Sequence, residues 1–172
     1  MNTPNKLTIL RVALVPLICL LIALDRFPWA AAFFALAALT DFLDGYLARR
    51  NGQITVFGKF LDPVADKLLV LTAMIMLTAQ GLLPAWAAVV VAARELAVDG
   101  LRLVASGSGK VVAAKMPGKI KTVLQLMCVL SALILGGHAV TTVLTVAMAV
   151  MTVISGGIYF KELGGEVFKE KA

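Results

Sequence analysis

The stretch DFLDGYLARRNGQITVFGKFLDPVAD, residues 41–66, places four aspartates between two long apolar runs, FPWAAAFFALAALT (27–40) and KLLVLTAMIMLTA (67–79). At about 100° per residue, Asp41, Asp44, Gly45 and Ala48 fall within an arc of roughly 100°. Gly58, Asp62 and Asp66 recur every fourth residue and form a second single stripe. The spacing therefore predicts two helices, each with an acidic face, rather than a polar loop between domains. Being consecutive and antiparallel, the two helices would carry their acids at similar depth and oppose them across a hairpin.

Outward from this stretch the chain divides by length alone, because a membrane-spanning helix needs about 20 mainly apolar residues. The expected spans are 7–25, 28–50, 57–80, 84–105, 117–136 and 139–160. Breaks at Asp25-Arg26-Phe27-Pro28, Gly81-Leu82-Leu83-Pro84 and Gly136-Gly137-His138 are short and almost uncharged, as tight turns at one membrane face should be. The other connections and the tail hold Arg49, Arg50, Lys59, Lys110, Lys115, Lys119, Lys121, Lys161, Lys169 and Lys171, with Lys6 near the start. The Lys/Arg bias puts both termini and both basic loops on the cytoplasmic side, leaving Arg26 as the sole basic residue of the opposite loops. The fold class expected is all-α: a multi-pass membrane protein, one domain over residues 1–172, with six transmembrane helices around a cytoplasm-facing polar cavity.

Composition supports that division. The 172 residues are 60% hydrophobic and 15% charged, and the mean hydropathy is +0.95. A soluble domain, at roughly 45–50% apolar, has no core large enough for this much aliphatic surface. The net charge of +6 would suggest nucleic acid in a soluble protein; here it fits anionic lipid headgroups, and no nucleic-acid partner is expected. Cys19 and Cys128 lie in apolar runs without metal-ligand spacing, so they are expected to be small buried or lipid-facing residues. The first apolar segment, lacking a small-residue cleavage pattern, is expected to be retained as a membrane helix.

Ionisable residues inside a span are costly and mark function by default. Four clustered carboxylates cannot all stay ionised unless cations offset their mutual repulsion. Oxygen ligands without His or Cys point to Mg²⁺ or Mn²⁺, which carboxylates commonly hold together with substrate phosphates. Gly45, Gly58 and Ala48 keep the wall beside the acids low, and Arg49 offers a planar fork to a phosphate. Pro63 removes a backbone donor close to the acids.

At this point the sequence resembles a known family. Asp41-x-x-Asp44-Gly45-x-x-Ala48-Arg49, eight residues, then Gly58-x-x-x-Asp62-x-x-x-Asp66 is similar to the CDP-alcohol phosphotransferase signature at each of its defined positions. The resemblance implies a homodimeric integral membrane enzyme of the bacterial inner membrane, with its active site open to the cytoplasm. It implies that Asp41, Asp44, Asp62 and Asp66 bind metal, two Mg²⁺ or Mn²⁺ ions, and that Asp66 is the catalytic base. It further implies that Gly45, Ala48, Arg49 and Gly58 seat a cytidine diphosphate group. Within the family, Pro4-Asn5-Lys6-Leu7-Thr8-Ile9-Leu10-Arg11, the run Arg94–Arg102, Lys115 and Gly118-Lys119-Ile120-Lys121-Thr122 are most like members that join CDP-diacylglycerol to glycerol 3-phosphate. The run departs from that likeness at Asp99, where a small polar residue is expected.

An acceptor that is itself a phosphate needs cations beyond the signature. Arg94, Arg102, Lys115, Lys119 and Lys121 are the available set, although positive-inside topology also accounts for the lysines, and a pair with Glu95 or Asp99 for Arg94. Asn5, Thr8 and Arg11 share one side of the first helix and are placed near the nucleotide, where capping and anchoring explain them nearly as well. His138, Met74, Met76, Met127, Met148, Met151, Phe27, Trp29, Trp86 and Tyr159 are read as interface anchors or lipid contacts without chemistry. Two alternatives stay open: the same acids serving serine, inositol phosphate or phosphatidylglycerol as acceptor, and a cation pathway through the membrane.

Overall fold

The computed structural model describes residues 3–51, 56–107 and 116–167, and the side chains within 7–40, 63–105 and 116–162. The described residues form six helices and no strand: α1 Thr3–Ala23, α2 Phe27–Asn51, α3 Val56–Ala79, α4 Ala85–Gly107, α5 Met116–Leu135 and α6 Ala139–Val167. Each lies within a few residues of the span expected from the sequence, except that α6 runs seven residues past its expected end, to Val167.

The three short breaks are turns closed by left-handed residues. After α1, Asp25 has φ 56°, its N–H donates to the Ile22 carbonyl at 3.1 Å, and Arg26 donates to Leu21 at 2.8 Å. After α3, Gly81 has φ 70°, donating to Thr78 at 3.0 Å while Leu82 donates to Leu77 at 2.9 Å. Both turns satisfy the last helical carbonyls by the same paired pattern. Gly136, with φ 65°, closes α5 through one bond to Ala132 at 3.0 Å.

The helices pack as two groups of three. In one, α1 packs extensively against both α2 and α3; in the other, α6 packs against both α4 and α5. Contacts of α2 with α5, and of α3 with α4 and α5, join the groups. The expected direct hairpin of α2 on α3 is the weakest of these contacts, because α1 lies against both partners. Small residues permit the close approaches: Ala30, Ala31 and Ala37 on α2 are buried, whereas Ala32 and Ala35 face outward. One core runs through all six helices, including Ile18, Phe34, Met74, Val91, Val129 and Met148.

Three residues expected at the lipid or interface are instead interior. Met74 and Met148 are fully buried in that core, and Tyr159 is 1% exposed within a smaller cluster with Val98 and Ala105. Composition could not reveal this, since an apolar side chain suits core and lipid equally. Trp29 and Trp86 are exposed, as expected. Large apolar side chains are exposed on all six helices, among them Leu20, Leu36, Ile75, Val89, Val123 and Val153. A surface of that kind suits lipid rather than water. Among the described residues two helical segments, Met116–Leu135 and Ala139–Glu162, are long and apolar enough to cross a membrane.

Alternation of helix direction puts the start of α3, the end of α4, the start of α5 and the end of α6 at one end of the bundle. The tight turns lie at the other. The candidate site is at the first end.

Candidate active site

A cavity of about 340 Å³ opens among α2, α3, α4, α5 and α6. Its chemistry comes from residues that share helix faces. On α4, Val91, Arg94, Glu95, Val98 and Arg102 follow the three-and-four spacing of an inward stripe. Val91 joins the main core, Val98 packs in the smaller cluster with Tyr159, and Arg94, Glu95 and Arg102 line the cavity. Asp66 and Lys67 enter from α3, Lys119, Lys121 and Gln125 from α5, and Tyr159 from α6.

Asp66 is held from α1. Arg11, with no exposed side-chain surface, donates from Nη1 to Asp66 Oδ1 at 2.8 Å, while the Asp66 side chain keeps 41% exposure toward the cavity. Thr8 lies one turn before Arg11 and is also buried. The charges deeper in the cavity are interlocked. Glu95 accepts a hydrogen bond from Lys121 Nζ and is 3.4 Å from Arg94 Nη1. Lys67 Nζ donates to Asp99, so the acid that departs from the expected pattern holds a cavity lysine. Arg94 Nη2 donates to Ser155 Oγ at 2.7 Å, and Arg102 Nη2 donates to the Tyr159 hydroxyl at 2.9 Å.

Among the described residues, those lining the cavity include five cationic side chains, Lys67, Arg94, Arg102, Lys119 and Lys121, and two acidic ones, Asp66 and Glu95. Among the described residues the cations outnumber the acids, which suits an anion bound beside the accessible Asp66 carboxylate.

Of the residues singled out in the sequence, the cavity brings together Asp66, Arg94, Arg102, Lys119 and Lys121. Asp41, Asp44, Gly45, Ala48 and Arg49 lie on α2, Gly58 and Asp62 on α3, and Asn5 on α1; their side chains lie outside the described residues, and Lys115 does so entirely. The backbone sets the acids in register. Asp41 and Asp44 stand ten and seven residues before the end of α2, and Asp62 and Asp66 six and ten after the start of α3. At 1.5 Å per residue all four are about 9–15 Å from the α2–α3 connection. Among the described residues no three His, Cys, Asp or Glu side chains cluster as a metal site. The acidic-set member whose side chain is described, Asp66, supplies hard carboxylate oxygens of the kind a divalent cation takes.

Sequence reasoning missed the Arg11–Asp66 pair and the parts played by Ser155 and Tyr159. The signal for the first was available, since a buried arginine in an apolar helix requires a partner. For Tyr159 no signal existed, because its surroundings come from α4.

A family model for CDP-alcohol phosphatidyltransferase matches residues 1–154. A Bacillus subtilis (strain 168) protein named CDP-diacylglycerol–glycerol-3-phosphate 3-phosphatidyltransferase is 45% identical over 184 residues, covering 94% of each chain. A protein of the same name from Rickettsia bellii (strain RML369-C) is 40% identical over 172 residues, covering 93% of this chain and 94% of its own. A third, from Pseudomonas fluorescens, is 49% identical over 108 residues, 59% of this chain and 55% of its own. The chain therefore belongs to the CDP-alcohol phosphatidyltransferase family.

Proposed function

We propose that this chain transfers the phosphatidyl group of CDP-diacylglycerol to glycerol 3-phosphate, giving phosphatidylglycerophosphate and CMP. The observation that carries the reading is that Arg94, Arg102 and Lys119 line the same cavity as Asp66. The names of the three relatives support both substrates. An acceptor without a phosphate, such as serine, would leave these cations unanswered.

In the proposed reaction the primary hydroxyl of glycerol 3-phosphate attacks the phosphorus bonded to diacylglycerol. Its proton passes to Asp66, a new P–O ester bond forms, and the P–O bond to CMP breaks, with the electron pair leaving on CMP. Arg11 orients Asp66 through the bond to Oδ1. Arg94, Arg102 and the lysines entering α5 hold the acceptor phosphate, and Gly45, Ala48, Arg49 and Gly58 seat the cytidine diphosphate, with Asn5 and Thr8 nearby. Asp41, Asp44, Asp62 and Asp66 would hold Mg²⁺ or Mn²⁺, two ions, whose charge offsets the pyrophosphate and eases departure of CMP.

The setting proposed is a bacterial inner membrane crossed by all six helices, with the cavity and both termini cytoplasmic and the protein a homodimer. The apolar outer surface on all six helices and the Lys/Arg bias support this arrangement. One assay tests the function. Purified protein in detergent micelles receives CDP-diacylglycerol, Mg²⁺ and, in turn, labelled glycerol 3-phosphate, serine, inositol phosphate or phosphatidylglycerol. Label should enter lipid from glycerol 3-phosphate with release of CMP; product only from another acceptor overturns the assignment.

A further inference from the structure

Arg94 and Arg102 belong to α4, yet their guanidinium groups are held by α6. The two residues stand eight positions apart, about 12 Å along the helix axis. Between them Tyr159 packs on Val98 and Ala105. Its ring centroid lies 5.4 Å from Arg94 Cζ and 4.9 Å from Arg102 Cζ, within the range at which an aromatic ring attracts a cation. The tyrosine hydroxyl accepts Arg102 at 2.9 Å, and one turn earlier Ser155 accepts Arg94 at 2.7 Å. Gly156 completes the seat: a Cβ there would come 3.2 Å from Arg94 Cγ, so the arginine stem lies almost on the α6 backbone.

These partners share a property: Tyr159 and Ser155 are neutral. They hold Arg102 without cancelling its charge, as a carboxylate would, and give Arg94 a neutral anchor in addition to Glu95, which lies 3.4 Å from its Nη1. Among the described residues Arg102 has no carboxylate within 4.0 Å, and the buried Nε atoms of Arg94 and Arg102 have no hydrogen-bond partner. Two oriented guanidinium groups lining one cavity match a phosphate dianion. All three α6 residues lie beyond residue 154, where the family match ends.

We propose that Tyr159 and Ser155 form a positioning platform on α6 that fixes Arg94 and Arg102 as one clamp, so that α6 selects an acceptor alcohol carrying a phosphate monoester. This rests on the function proposed above and adds the element that confers acceptor choice. Tyr159 and Ser155 act through the arginines and touch no reacting atom.

The test compares wild type with Tyr159→Phe, Tyr159→Leu and Ser155→Ala, taking KM for each substrate separately. Tyr159→Phe, which keeps the ring, raises KM for glycerol 3-phosphate about tenfold, as loss of one hydrogen bond to a charged group predicts. Tyr159→Leu, which loses the ring too, raises it about thirtyfold, and Ser155→Ala about threefold. KM for CDP-diacylglycerol stays within about twofold in every variant, because the platform does not reach the nucleotide. Equal rises in both KM values, or an unchanged KM for glycerol 3-phosphate in Tyr159→Phe, overturn the platform. Tyr159→Phe is nearly isosteric and carries the test if Tyr159→Leu does not fold. A wild type that makes no product from glycerol 3-phosphate overturns the proposed function and the platform together. A wild type active on it beside an unaltered Tyr159→Phe overturns the platform alone.

Discussion

Arg11 is the only charged side chain between residues 7 and 24, and its full burial is tolerable because Asp66 answers it at 2.8 Å. Removing one partner of such a pair costs more than the pair contributes, since the survivor keeps its desolvation penalty. Arg11→Met should therefore release Asp66 from its fixed orientation and lower kcat about 100-fold, with KM for glycerol 3-phosphate little changed, measured under saturating substrate. Asp66→Asn should abolish turnover while metal-dependent CDP binding stays measurable by calorimetry; full activity would remove Asp66 from the base role. Glu95 serves structure instead. It is 8% exposed between Lys121 and Arg94, and Glu95→Gln leaves two buried cations facing each other. A loss of about 3 kcal/mol in unfolding free energy is expected, checked by thermal or denaturant unfolding in detergent.

Turns and helix ends dominate at the scale of elements. Asp25 and Gly81 occupy the same left-handed position in equivalent turns, but only glycine adopts it without strain. Asp25→Gly should stabilise the protein by up to about 1 kcal/mol, and Gly81→Ala should destabilise it by about 1 kcal/mol. Nothing lies within 4 Å of a Cβ built at Gly81, so that loss measures backbone strain alone. Paired melting curves of the two variants, moving in opposite directions, provide the check. The contrast in α4 is between faces: Leu96 and Leu103 point outward, while Glu95 and Val98 are buried. A single helix thus presents lipid-compatible surface on one side and a charged cavity wall on the other.

Taken whole, the bundle gathers its cations at one end. Charge that would repel the acidic faces of α2 and α3 from a pyrophosphate is the reason a divalent metal is proposed, and its removal has a definite outcome. EDTA should reduce phosphatidyl transfer to background, and Mg²⁺ added in excess should restore it. Activity that survives chelation would leave the proposed metal role of Asp41, Asp44, Asp62 and Asp66 without support. The arrangement of α1 against both α2 and α3 also gives Arg11, expected from the sequence near the nucleotide, its partner in Asp66.

The amino-acid sequence by itself determined six helices and their turns, because these depend on the local periods of apolar residues, on glycine and on the spacing of charges. It also named Asp66, Arg94, Arg102, Lys119 and Lys121, since an ionisable group in an apolar run betrays itself. Only the tertiary structure decided who answers whom. Arg11 and Asp66 are 55 residues apart, Lys121 and Glu95 are 26 apart, and Arg102 and Tyr159 are 57 apart, separations at which several partners satisfy the same charge equally well on paper. The choice among them is made by which helices touch. That contact follows from packing small residues and filling space, neither of which is encoded in the residues that finally meet.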